Sequence, residues 1–111
     1  MTRRQPDGLI SVLLNQNAEL GDRDDAAMDL GLFDEGEAEQ ALSVVACDPK
    51  TDEDLLDSCA ESLAEIWSRR QEVPVDVLVK LPQLGRRIAI ATLRAKAPRL
   101  AIAAEAAVKG K

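Results

Sequence analysis

The sequence predicts an all-α protein, a short right-handed α-solenoid of about three antiparallel helical hairpins with a C-terminal capping helix. Three observations carry this. A phrase recurs three times: Ala26-Ala27-Met28-Asp29-Leu30-Gly31-Leu32-Phe33, then Cys59-Ala60-Glu61-Ser62-Leu63-Ala64-Glu65-Ile66, then more weakly Ala89-Ile90-Ala91-Thr92-Leu93. The copies are offset by 33 and then 30 residues, a period that belongs to stacked helical hairpins. Apolar residues make up 46% of the 111 residues but aromatics only 2%. A core of Leu, Ile, Val and Ala suits helix-on-helix packing better than sheets. The prolines and glycines fall mostly between apolar runs, as punctuation between helices does.

The elements follow in order, as one domain over 1–111 with hairpins at about 8–31, 34–70 and 74–96 and a last helix at about 98–108. Leu9, Ile10, Val12, Leu13 and Leu14 make a short first helix after Pro6-Asp7-Gly8. Asp22 is placed as the N-cap of a second helix reaching about Leu30, because its side chain can accept from the free N–H groups of the first turn. Gly31 follows at the helix end. Asp34-Glu35-Gly36-Glu37 opens a third helix to about Ala46, with Ala38, Ala41, Leu42 and Val45 on one face.

Asp48-Pro49-Lys50 is a turn. Thr51-x-x-Asp54 opens the strongest helix, from about Asp52 to Arg69. Its apolar residues Leu55, Leu56, Cys59, Leu63, Ile66 and Trp67 recur at three- and four-residue spacing. Arg69-Arg70 sit at its C-terminus, where the helix dipole favours cations. A short helix runs from Val75 to about Leu81 and ends at Pro82. Leu84 to Lys96 is the next, with Leu84, Ile88, Ala91 and Ala95 on one face. Pro98 suits the first position of the last helix. In the repeated phrase, the small residues admit a neighbouring helix and Leu30, Leu63 and Leu93 fill the space between layers.

Residues Glu35-Gly36-Glu37-Ala38-Glu39-Gln40-Ala41-Leu42, the loop Asp48-Pro49 and Leu55 to Ile66 together resemble a HEAT-like repeat. They match its helix A, its Asp-Pro loop and its helix B. Arg23 and Arg86 fall at the family's helix B arginine position, where the middle copy has Leu56. The resemblance covers about 20–70 well and 75–96 loosely. It implies a scaffold that binds other macromolecules and brings no catalytic residue.

Charge is distributed unevenly. Residues 1–67 carry seventeen acids against Arg3, Arg4, Arg23 and Lys50, while 68–111 carry ten bases against Glu72, Asp76 and Glu105. The total is −6, and an asymmetry of this kind steers charged partners to one half. With no histidine in the chain, Ser–His and Cys–His nucleophile pairs are impossible. Cys47 and Cys59 form no C-x-x-C pair, which excludes a finger-type zinc site. A calcium loop from Asp48 fails, with Glu53 where Gly is needed and Cys59 where Glu belongs. Neither a catalytic site, a cofactor nor a metal is expected.

The N-terminus has no signal-peptide apolar core and Leu100 to Val108 is too short to span a membrane, so a cytoplasmic protein is expected. The expected function is a non-enzymatic protein-interaction module, a scaffold or adaptor. One specific form is an immunity or inhibitor protein whose acidic half binds a basic partner. Its partner-binding residues are Asp22, Asp24, Asp25, Glu35, Glu37 and Glu39, with Trp67, Arg86 and Arg87 as further candidates. The alternative is nucleic-acid binding by the basic C-terminal half. Trp67 fits either a core plug or a partner anchor. The apolar last helix fits either a cap on the third hairpin or a homodimer contact.

Overall fold

The computed structural model describes residues 6–110, and readings that rest on 1–5 and 111 lie outside them. Seven helices and no strands are present among the described residues. They are α1 (Asp7–Leu14), α2 (Leu20–Leu30), α3 (Gly36–Ala46), α4 (Glu53–Arg70), α5 (Val75–Lys80), α6 (Gln83–Lys96) and α7 (Pro98–Lys109). The body is elongated, 45 × 28 × 21 Å. No helix among the described residues is long and apolar enough to cross a membrane.

The long α4 is the axis of the fold. It packs against α2, α3 and α6, while α1 lies on both α2 and α3. Its buried residues face every neighbour: Leu55, Leu56, Cys59, Ala60, Leu63, Ala64, Ile66 and Trp67 are all in the core. Each copy of the repeated phrase is a buried seam. Ala26, Ala27 and Leu30 lie inside on α2, and Ala89 and Leu93 on α6.

Three local differences from the sequence reading have physical causes. First, α2 begins two residues before Asp22 with Glu19 as its cap residue, and no side-chain cap bond forms there. Asp22 therefore sits in the first turn, where the helix dipole still favours its charge. Second, Asp52 rather than Thr51 caps α4, accepting the Asp54 N–H at 2.9 Å. Thr51 Oγ1 instead donates to the Val45 carbonyl at 2.6 Å and ties α3 to the following turn. Third, α5 makes its main helix contact with α7, and α6 pairs with α4 and α7. A six-residue helix has too little surface to form a hairpin partner for the fourteen-residue α6, so α7 takes that place.

The α6 strip also differs. The side against α4 is Gly85, Ala89 and Leu93, all buried, with Gly85 packed on the Leu56 side chain. Leu84 and Ile88 are half-buried and Ala91 and Ala95 exposed. The smaller strip won the core position because a helix with Gly and Ala at the contact can approach α4 more closely.

Candidate interaction surface

The predicted partner-binding residues separate into surface and interior. Asp22, Asp25 and Glu37 are exposed and Glu35 is half-exposed. Asp22, Asp25 and the neighbouring Asp29 share one side of α2 at three- and four-residue spacing, giving that helix a charged outer edge. Asp24, on the other side, accepts a hydrogen bond from Ser58 Oγ of α4 and serves the packing of the two helices.

Trp67 belongs to the interior and Glu39 is half-buried at its edge. Trp67 is fully buried, and its Nε1 donates to Glu39 Oε2 at 2.8 Å. Arg70 grips the same carboxylate with both terminal nitrogens, at 2.6 and 3.0 Å. Burial alone would raise the Glu39 pKa, but these hydrogen bonds and the Arg70 charge outweigh it and hold the carboxyl below its usual range. Trp67 is thus a core plug latched by α3. It offers no surface for a partner to hold.

Arg86 is likewise structural. Its Nη2 donates to the Val79 and Leu81 carbonyls at 3.1 and 3.2 Å, satisfying the C-terminal end of α5. Its Nε is buried without a hydrogen-bond partner. Arg87, one position on, is exposed. Other cations of the basic half are engaged as well: Arg69 pairs with Asp34 at 3.0 Å and Arg94 with Glu105 at 2.6 Å.

No group of three or more His, Cys, Asp or Glu residues able to hold a metal ion exists among the described residues. Cys59 is buried, and burial pushes its thiol up to about 12, with Asp24 adding to the effect and Arg23 opposing it. A polar cleft of about 560 Å³ is lined by Gln16, Arg23, Asp48, Lys50, Thr51 and Asp52. Asp48 Oδ1 there accepts the Lys50 N–H at 2.9 Å, and Arg23 Nε donates to the Leu13 carbonyl at 2.9 Å. Its mixed charges are committed to turns and helix ends.

A groove of about 600 Å³ lies between α6 and α7. Leu84, Ile88, Ile90 and Ala91 of α6 and Val108 of α7 line it, with Arg87 and Lys109 beside them and the Arg94–Glu105 pair across it. Its lining is mixed, with apolar side chains of both helices beside three cations and the Glu105 carboxylate. Of the candidate residues read from the sequence, Arg87 lines this groove and the others lie outside it. α6 carries apolar residues on two strips, one buried against α4 and the other half-covered beside α7. The chain finds no significant match among protein-family models, curated proteins or solved structures.

Proposed function

We propose that the protein is a non-enzymatic protein-interaction module, a short α-solenoid built from HEAT-like hairpins. The open α6/α7 groove is the observation that carries the reading. Leu84, Ile88 and Val108 are half-buried and partly accessible together along this groove, while exposed apolar residues such as Leu32 and Val44 lie on other parts of the surface. Contiguous accessible apolar surface on an otherwise charged protein is the usual mark of a binding site for another macromolecule. The solenoid reading draws support from α1 lying on α2, α3 on α4, and α4 packing between α2 and α6. The 33-residue offset of the repeated phrase has the same origin in this view.

The acidic edge of α2 supplies steering for a basic partner, which is what an immunity or inhibitor protein would need. Nucleic-acid binding draws less support, because Arg69, Arg70, Arg86 and Arg94 already bond to groups within the chain. A photo-crosslinking residue at Ile88, and another at Asp25, tests the module reading in cells that make the protein natively. Adducts with a different polypeptide from Ile88, abolished by Ala91→Glu, are expected. Absence of any protein adduct from both positions would overturn it.

A further inference from the structure

Going beyond that reading, we propose that the chain associates with itself head to tail, the outer face of α2 in one copy seating on the outer face of α7 in the next.

Each face joins exposed apolar side chains to charges of one sign. On α2, Ala26, Ala27 and Leu30 point inward, and Met28 and Leu32 stand one turn apart on the outside. Met28 is 57% exposed. Exposed Asp25 and Asp29 flank it on its own helix, and Glu61 of α4 lies beside it across a small cleft. On α7, Ala101 and Ala104 point inward. Arg99, Ile102, Ala103 and Ala106 are exposed at i, i+3, i+4 and i+7 and so share one side. Ile102 is 70% exposed, and Arg99 and Lys109 stand toward the two ends of this side.

The charges on both faces lack internal partners. Asp25, Asp29, Glu61, Arg99 and Lys109 form no salt bridge among the described residues. Carboxylates around Met28 and Leu32 therefore complement cations around Ile102, with apolar surface at the centre of each. The alanines of α7 leave room for a second helix to approach closely. One copy cannot close this pair within itself, because α2 packs mainly on α1, α3 and α4, and α7 on α5 and α6.

Like-on-like pairing is disfavoured by the same charges. A two-fold contact of α2 faces sets carboxylates against carboxylates, and one of α7 faces sets Arg99 and Lys109 against their own copies. A contact of two single helix faces is small and belongs with weak, concentration-dependent association.

Sedimentation of the whole protein across concentration tests this, at about 0.01 and 1 M salt, where charges are screened over about 30 and 3 Å. The average mass is expected to rise with concentration, with a Kd about tenfold weaker at the higher salt. Leu32→Lys and Ile102→Glu should each abolish association while leaving the circular dichroism unchanged, since both side chains are exposed. Each variant keeps one sound face, so an equal mixture of the two should form a dimer that grows no further. If either variant fails to fold, Met28→Lys or Ala103→Glu replaces it on the same face. A single-chain mass at every concentration would overturn the proposal, as would association indifferent to salt. Association that survives either variant alone, or a mixture that stays monomeric, would overturn it too.

Discussion

A β-carbon added to Gly31 would stand 2.7 Å from Ser62 Oγ and 2.9 Å from Ser62 Cβ. Ser62 has no room to yield: it is buried, and its hydroxyl donates to the Ala27 carbonyl at 2.7 Å. Gly31 itself has an ordinary right-handed backbone, φ −62°, so its small size and not its freedom is what the position uses. Gly31→Ala is expected to destabilise the protein by about 1–3 kcal/mol through overpacking. Gly85→Ala provides the contrast, because its new β-carbon meets the mobile end of Leu56 at 2.9 Å. Helix propensity favours Ala by about 0.5–1 kcal/mol, and the two effects nearly cancel. Urea midpoints of the two variants decide; equal losses would refute the distinction.

Leu63 is fully buried at the centre of α4, where it joins the seams of the second phrase. Leu63→Ala should cost about 2–5 kcal/mol. Leu32→Ala is the control, since Leu32 is 73% exposed and such surface changes usually stay within about 0.5 kcal/mol. Fluorescence of Trp67, which α4 also holds in the core, reports both transitions.

Stability should fall in acid because of Glu39. Its pKa is lower in the folded protein than in the unfolded chain, so the folded state binds its proton less readily. The resulting stabilisation is complete above the ordinary glutamate value of about 4.3. It is lost as pH drops through the lowered folded value. Glu39→Gln keeps an acceptor for Trp67 but removes the charge from Arg70. The variant should be less stable at pH 7 by roughly 1 kcal/mol, and the gap should narrow by pH 3. A gap that stays constant with pH would show that Glu39 contributes through shape alone.

The two thiols should differ sharply in reactivity. Burial raises both, but Cys59 is pushed up to about 12 and is fully enclosed, whereas Cys47 is half-buried with Lys80 partly offsetting the rise. A maleimide at pH 8 is expected to label Cys47 in the folded protein and Cys59 only as the chain opens. Mass spectra over time read this directly. Equal labelling rates would mean that α4 does not seal Cys59.

Helix positions were legible in the sequence wherever apolar spacing, proline or an acidic start marked them, as in Pro98 and the Asp48-Pro49-Lys50 turn. The Gly31 and Ala64 contacts were legible too, because small residues at a repeated position have few other uses. What escaped was the choice among equivalent groups. Nothing in one-dimensional spacing says that Glu39 faces Trp67 while Glu37 faces water, since both are glutamates on the same helix. Arg86 and Arg87 are neighbours of the same type, yet a turn of 100° sends one to the α5 carbonyls and the other to solvent. The α6 groove was hidden because apolar residues read as core until the neighbours that half-cover them are placed.

The side-chain bonds joining α2 to α4 have a temporal meaning. Ser58 to Asp24 and Ser62 to Ala27 are separated by 34 and 35 residues, about one offset of the repeated phrase. Of the other main helix pairs, α1 with α2, α3 with α4 and α6 with α7 join consecutive helices, and α4 with α6 spans a separation similar to that of α2 and α4. The closure entropy of such short loops is small, and chains rich in local contacts fold fast. A nucleus on α4 can therefore recruit α3 and α2 on one side and α6 on the other without a long-range search.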